Sequence, residues 1–340
     1  MKRRITLLRR VVQIASFIAI LYGGFLGIEN IKTLLPSLDP DPGEPEITKY
    51  ERGDILWVAE DPPIFELYPP VATCRFIARG GSFKACFLHM ISENLTWLTP
   101  LKYLLPHILL FVFLCFLAAR FFCGWLCPLG FFADGLSTIR RFFGLSYVEL
   151  PKVLRDILVK FGYVLLFLTL LLSIVISLPA LAVAGFKEEL FLPYCQICPA
   201  RILFPLFGGV TPCWYSFDST ISTVFTFFGW LFLLFFLMSF FIRRLWCRIC
   251  PIGAIISLFN RGALITKEKD VQKCTRCGAC ATGCPMGDRG VYEEKSNRII
   301  NRTNCIFCFR CVDLCPEDGC LQVKFLRKGI FKSSFKRDYK

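Results

Sequence analysis

The stretch Arg120-Phe-Phe-Cys-Gly-Trp-Leu-Cys-Pro-Leu-Gly130 decides how this chain is read, because it returns as Arg244-Leu-Trp-Cys-Arg-Ile-Cys-Pro-Ile-Gly253. In both copies an arginine stands three residues before the first cysteine and an aromatic residue directly before it. A Cys-Pro step follows, with a glycine three residues after its cysteine. Each copy comes after a long apolar run. Cys123, Cys127, Cys247 and Cys250 are therefore expected just past the ends of two hydrophobic segments. If those segments are neighbours, four thiolates meet at one membrane-surface site, suited to a further iron–sulfur cubane or to a soft metal such as Cu(I) or zinc. Paired structural cysteines in a reducing compartment are the plainer alternative. Two copies with matched flanks favour metal or redox chemistry. The prolines and glycines then end the ligand turn and let the next helix start.

Composition points to a membrane protein. Of 340 residues 55% are hydrophobic, 36 are phenylalanine, and the mean hydropathy is +0.54, outside the range of soluble domains. Four segments, roughly 8–28, 98–119, 157–184 and 221–242, have the ~20 apolar residues that a ~30 Å hydrocarbon core requires. They predict a mainly α membrane protein built on a four-helix transmembrane bundle over residues 1–262. The first segment follows Lys2, Arg3, Arg4, Arg9 and Arg10. It lacks a small-residue cleavage signal and reads as an uncleaved anchor.

Orientation follows from lysine and arginine near the spans. The N-terminus is basic, Arg120, Arg140, Arg141, Lys152 and Arg155 follow the second span, and Arg243, Arg244 and Arg248 end the fourth. The first outer loop, 29–97, carries eleven acidic residues against six basic ones; the second runs over 185–220. These features predict a multi-pass protein of a prokaryotic inner membrane with both termini and both cysteine motifs in the cytoplasm. The net charge of +14 is read as cytoplasmic-loop charge, and nucleic acid is not an expected partner.

Residues 263–320 change character. Cys274-Thr-Arg-Cys-Gly-Ala-Cys-Ala-Thr-Gly-Cys-Pro285 and Cys305-Ile-Phe-Cys-Phe-Arg-Cys-Val-Asp-Leu-Cys-Pro316 both read C-x2-C-x2-C-x3-C-P, the bacterial ferredoxin run for [4Fe–4S] clusters. Three close thiolates hold one cubane, and the fourth cysteine crosses to the other. One cluster is thus assigned Cys274, Cys277, Cys280 and Cys315, the other Cys305, Cys308, Cys311 and Cys284. Structural zinc would not explain the repeated x2, x2, x3 rhythm. The expected domain is a cytoplasmic α+β two-cluster ferredoxin. Cys320 falls outside the rhythm and is expected to pack as a small hydrophobe. Residues 321–340, with seven basic residues against Asp338 alone, read as a basic tail near the anionic leaflet or as a dock for an acidic redox partner.

Five cysteines remain outside. Tyr194-Cys-Gln-Ile-Cys-Pro-Ala200 is a weaker echo of the opening motif; Cys213, Cys74 and Cys86 lie in the outer loops. Either Cys74 and Cys86 form a disulfide, or Cys195, Cys198 and Cys213 join Cys74 or Cys86 around a further cluster. One or two iron–sulfur clusters beyond the ferredoxin pair are thereby open. With only two histidines, His89 and His107, the chain cannot offer two stacked bis-histidine haems, and no Cys-x-x-Cys-His is present. Haem is not expected.

The Cys-Gly-Trp-Leu-Cys-Pro and Trp-Cys-Arg-Ile-Cys-Pro-Ile-Gly-Ala segments, followed by two ferredoxin runs, resemble the membrane polyferredoxins of the NapH and NosR type over about 98–320. The resemblance implies four or more spans, cytoplasmic Cys-Pro thiol pairs and cubane clusters that move electrons between quinol, ferredoxin-type centres and a partner enzyme. A copper reductase for oxidase assembly belongs to the same group. This chain departs from the pattern in its second pair, which is Cys-x-x-Cys and one residue short. It also lacks the outer flavin domain of the NosR branch, so flavin is not expected.

The leading expectation is an electron-carrier subunit, passing electrons between ferredoxin-type clusters and a quinone, a soluble carrier or other redox subunits. The alternative is a copper reductase or metallocentre assembly factor that uses the Cys-Pro thiols. A third reading is a passive anchor for a ferredoxin. No nucleophile–base pair, phosphate loop or dinucleotide fingerprint is present, and no catalytic residue is assigned.

Overall fold

The computed structural model describes residues 4–23, 68–74, 85–94, 101–177, 193–208, 219–296 and 298–334. The chain is mostly helical, with one small sheet near its C-terminus. Among the described residues three helices are long and apolar enough to cross a membrane: Ile5–Tyr22 within α1 (Arg4–Tyr22), Lys152–Val175 within α6 (Lys152–Ser177), and Thr220–Phe240. The second expected span forms α3, Leu101–Ala118, with Pro106 inside it. Its apolar part, Leu104–Ala118, is shorter than a span. Among the described residues three full-length apolar helices and one shorter one stand where four spans were expected.

The chain divides into two compact units. The first comprises 1–15, 112–166 and 235–340; the second comprises 16–111 and 167–234. The ferredoxin runs belong to the same unit as both Cys-Pro motifs.

In the first unit the motifs build the same local structure. Cys127 (φ −67°, ψ 120°) and Cys250 (φ −62°, ψ 119°) are both extended. Each precedes a proline at the first position of a helix, α5 (Pro128–Phe142) and the helix Pro251–Leu258. Proline suits that position because its fixed φ is helical and its missing N–H would have no partner there. The one-residue difference falls in the short helix before the cap, α4 (Phe121–Trp125) against Trp246–Ile249. The Cys-Pro cap is the same in both.

The sheet is antiparallel, ordered β2–β1–β3–β4: β1 is Ile265–Lys269, β2 Arg298–Ile299, β3 Leu321–Phe325 and β4 Lys328–Lys332. In the centre Lys267 faces Val323 and Lys269 faces Leu321. The basic tail expected from 321 is corrected here. Leu321 and Val323 are buried in the core beside Phe307 and Phe309, and Phe331 packs against it. The period-two alternation of β3 buries its apolar residues while Gln322 and Lys324 lie only partly covered. Its charges had masked a strand. Cys320 is buried in the same core.

The second unit contains the helices α2 (Phe87–Asn94), Pro193–Ile197 and Ala200–Gly208. Phe87 stacks on Phe111, centroids 3.5 Å apart, and the Tyr22 hydroxyl donates to the Phe207 carbonyl at 2.6 Å. His107 meets Tyr68 edge-on at 5.5 Å, and His89 is buried.

Candidate metal centres

The two ferredoxin runs wrap in one repeated conformation. Their third and fifth residues, Arg276 and Gly278 in one and Phe307 and Phe309 in the other, all have positive φ of 46–77°. Only Gly278 takes this without cost; at the other three positions the left-handed turn stores about 1–3 kcal/mol each. Such turns point successive backbone amides and cysteine sulfurs into one concavity. Cys274, Cys277, Cys280 and Cys315 line a single open pocket with Lys269 and Tyr292. Cys280 is pushed up to about 11, by burial first, offset by Lys269 and reinforced by Cys277, Cys315 and Cys274. Cys284 is pushed up to about 12 by burial and then by Cys308 and Cys305; Cys311 is raised by burial, relieved by Lys267, and raised again by Cys308, Cys305 and Cys284. The fourth cysteine of each run therefore stands with the three leading thiols of the other.

One functional residue escaped the sequence reading. β1 reads Ile-Thr-Lys-Glu-Lys, yet Ile265, Lys267 and Lys269 form its buried face. The Lys267 ammonium donates to Cys305 Sγ at 3.0 Å, and the Phe307 N–H donates to the same sulfur at 3.3 Å. Burial alone would lower the Lys267 pKa, but the charges of Cys305 and Cys311 outweigh it and hold the group above its ordinary value. Lys269 instead donates to the carbonyls of Val291 at 2.8 Å and Glu294 at 2.7 Å. The signal available was positional: a lysine cannot lie on the inner face of a central strand unless a charge or a row of carbonyls meets it.

The Cys-Pro motifs form a third gathering. Cys250 is raised well above its ordinary value by burial, relieved by the Gly253 amide, and raised again by Cys123, Cys127 and Cys247. Cys123 is raised by burial, lowered by Arg120, and raised by Cys247. The four thiols expected at one site are brought together. The arginine and glycine of each motif serve the other copy. Arg120 Nη2 donates to the Cys247 carbonyl at 2.8 Å, and Arg244 Nη1 donates to the Cys123 carbonyl at 3.0 Å. A Cβ at Gly253 would lie 3.0 Å from Arg120 Nη2, and one at Gly130 would lie 3.3 Å from Arg244 Nη1. Each glycine leaves room for the other motif's guanidinium.

A buried carboxylate completes this frame on one side. Asp134 on α5 accepts from Arg244 Nη2 at 2.6 Å and Nε at 3.0 Å, from Gln13 at 3.0 Å, and from Arg9. Burial alone would raise its pKa, but Arg244 and Arg9 hold the carboxyl far below the usual carboxylate range. Arg9 and Gln13 also donate to the Gly124 carbonyl, at 2.9 and 3.1 Å. The N-terminal helix, read from sequence as an anchor preceded by charges, thus holds the first thiol loop.

This third site abuts the second ferredoxin site. Cys123, Cys247 and Cys284 pack around buried Met286, Ile306 and Cys308. A Cβ at Gly124 would come within 2.2 Å of the Ile306 carbonyl, so no residue but glycine lets the two loops approach this closely. Trp125 Nε1 closes the contact by donating to the Phe307 carbonyl at 2.9 Å.

In the second unit Cys74 and Cys86 are buried. Cys198 is raised by burial and senses Cys74 and Cys86. Cys195 and Cys198 flank Gln196; Cys213 lies outside the described residues. Among the described residues no three His, Cys, Asp or Glu side chains are gathered tightly enough for a single metal ion. Zn–S bonds of about 2.3 Å would draw four sulfurs to roughly 3.8 Å from one another. Thiol quartets with apolar walls, and in the second ferredoxin site an amide and an ammonium donating to Cys305 Sγ, fit a multi-iron cluster.

Comparison with known proteins agrees with this chemistry. A family model described as 4Fe-4S dicluster domain matches residues 266–316, and one described as 4Fe-4S binding domain matches 107–146 and 223–268, one stretch around each Cys-Pro motif. The uncharacterized protein MJ0750 of Methanocaldococcus jannaschii is 30% identical over 243 residues, 70% of this chain and 86% of the relative. The chain belongs to the NapH/NosR-type membrane polyferredoxins. Within that family, the putative electron transport protein YccM of Escherichia coli is 26% identical over 279 residues, 79% of this chain and 71% of YccM. The ferredoxin-type protein NapH of Haemophilus influenzae is 28% identical over 213 residues, 61% of this chain and 63% of NapH. No solved structure matches the chain. As a polyferredoxin of this type it is an iron–sulfur, ferredoxin-type electron-transfer protein of the membrane.

Proposed function

We propose that this chain is an electron relay with three linked centres on the cytoplasmic side of a prokaryotic inner membrane, exchanging electrons with a quinone or a membrane redox partner. The first centre is held by Cys274, Cys277, Cys280 and Cys315, the second by Cys284, Cys305, Cys308 and Cys311, and the third by Cys123, Cys127, Cys247 and Cys250. When bound, [4Fe–4S] clusters supply one-electron carriers with potentials anywhere from about −700 to +450 mV. The observation that carries the reading is the shared packing of Cys123 and Cys247 with Cys284 and Cys308 around Ile306.

The chain's residues divide the work. Cys277 is exposed and lines an open cavity with Thr275 and Glu317, which makes the first centre the port for a soluble carrier or another redox subunit. The second centre is closed over by Phe307, Phe309 and Trp125, and Lys267 offsets negative charge on its Cys305 ligand. Arg120 and Arg244 fix the two thiol loops of the third centre while leaving its apolar side to the membrane. The lysine and arginine distribution supports a cytoplasmic position for both termini.

In the copper-handling alternative the Cys-Pro thiols grip one soft ion instead of a cluster. Anaerobic counting of iron and acid-labile sulfide in the wild type and in Cys247→Ala tests the relay. A loss of about four irons per chain in the variant supports a cluster at the third site. Equal iron in both, with copper or zinc bound only by the wild type, overturns it.

A further inference from the structure

We propose that the guanidinium groups of Arg10 and Arg141 form a headgroup site for an anionic phospholipid, where α1 enters the bilayer beside the end of α5. The site depends on α1 lying in the membrane and on no cluster, so it goes beyond the relay.

Geometry brings the two arginines together. Arg10 Nη2 and Arg141 Nη2 donate to the same hydroxyl, Thr138 Oγ1, at 3.1 and 3.2 Å. Thr138 gives its own hydrogen to the Asp134 backbone carbonyl at 2.9 Å, and Arg141 Nε donates to the Ser137 carbonyl at 3.3 Å. Helix α5 sends its last two basic residues in opposite directions. Arg140 is buried and donates to the Phe241 carbonyl at 3.3 Å, while Arg141 is exposed. Thr138 is exposed as well, so the point where the two guanidiniums meet is open from outside.

Charge at this point is unbalanced. Asp134 stands 4.0 Å from Arg10 and is already held by Arg9 and Arg244. Among the described residues Arg141 has no carboxylate partner. Arg310, on the short helix Arg310–Leu314, adds to the positive field. The Arg141 pKa is lowered by burial first and then by Arg310, Arg10 and Arg140, with Asp134 opposing. The acid on that short helix, Asp313, accepts from the Thr6 N–H at 3.1 Å and from the Thr6 hydroxyl. Like charges that converge without a counter-ion repel one another. A phosphodiester relieves this, because guanidinium forks grip it with paired hydrogen bonds.

The surroundings select the kind of anion. Leu7, Val11 and Ile14, the neighbours of Arg10 on the surface of α1, are exposed apolar residues. Ile139, Phe142 and Phe143 beside Arg141 are exposed too, Phe142 at 87%. Exposed apolar residues continue through Leu145 and Val148 to Val153 and Ile157 of α6, a helix long and apolar enough to cross a membrane. A soluble anion would leave these side chains in water. A phospholipid covers them with its acyl chains while its phosphate meets the arginines. Arg10, inside the span Ile5–Tyr22, reaches the headgroup level along its apolar stem.

Native mass spectrometry of the full-length protein in detergent, titrated with phosphatidylglycerol or with phosphatidylcholine, tests the site. Wild-type protein is expected to bind phosphatidylglycerol the more tightly. That affinity should fall roughly fivefold in Arg141→Gln and roughly 25-fold in Arg10→Gln/Arg141→Gln. Equal binding of both lipids by the wild type, or unchanged phosphatidylglycerol affinity in the double variant, overturns the proposal and leaves the arginines to an acidic protein partner. Inorganic phosphate that displaces phosphatidylglycerol at equal concentration would assign a soluble anion and overturn it as well. Should the double variant fail to fold, the rise in Tm on adding phosphatidylglycerol decides. It is expected to be smaller in Arg141→Gln than in the wild type, and an equal rise refutes the site.

Discussion

The two Cys-Pro motifs are alike where they touch each other and unlike where they touch the rest of the protein. Both contribute an arginine to the other's first cysteine carbonyl and a glycine to make room for it. Four residues past the glycine the copies diverge: Asp134 stands in the first and Ser257 in the second. Asp134 ties Arg244 to Arg9 in a buried ion network. Ser257 only donates to the Ala254 carbonyl at 2.7 Å and shares a 2.6 Å hydrogen bond with Tyr163. Arg120 accordingly has no carboxylate; its guanidinium rests on the carbonyls of Cys247 and Thr303, and its backbone N–H donates to Asn260. The symmetric part fixes the thiols. The asymmetric part attaches one thiol loop to the N-terminal helix.

The largest break in this comparison is expected at Asp134. Asp134→Asn leaves Arg9 and Arg244 buried without a counter-charge, which should cost about 3–5 kcal/mol. Thermal unfolding in detergent should show a large fall in Tm. An effect as small as that of a surface substitution would mean the network is not formed.

The glycines come next. Gly130→Ala meets the Cys123 carbonyl oxygen at 2.9 Å before Arg244, whereas Gly253→Ala meets Arg120 first, at 3.0 Å, with the Cys247 carbonyl farther off at 3.7 Å. Each should cost about 1–3 kcal/mol, as overpacking does, and Gly130→Ala should lower Tm the more; the reverse order would contradict this packing.

Lys267 and Lys269 sharpen the parallel contrast between the ferredoxin sites, since only Lys267 reaches a ligand sulfur. Lys267→Met removes a cation beside a centre that gains negative charge on reduction. Its midpoint potential should fall by roughly 60 mV, equivalent to ~1.4 kcal/mol for a one-electron couple. Redox titration followed by EPR measures this, and an unmoved potential would deny Lys267 its role. The smallest effect is expected for Ser257→Ala, about 1 kcal/mol from one neutral hydrogen bond, well below its positional counterpart Asp134.

What could be read beforehand follows from how local each signal is. The ferredoxin runs announce their ligands because three of four thiols sit within seven residues. The Cys-Pro motifs announced a site but not the exchange of arginines, which depends on two distant segments meeting face to face. Lys267 was hidden because a strand of alternating charge and apolar residues is ordinarily read with its charges outward. Lys324, Lys328 and Lys332 likewise gave β3 and β4 the look of a solvated tail, although Leu321 and Val323 carried the alternation.

The central claim is that the third thiol site and the second ferredoxin site are direct neighbours in one relay. EPR of the fully reduced, anaerobic protein tests it most directly through magnetic coupling between paramagnetic centres. The account predicts that the wild type shows additional spin–spin splitting that is lost in Cys247→Ala, leaving only the coupling between the two ferredoxin clusters. Identical spectra from both proteins would contradict it.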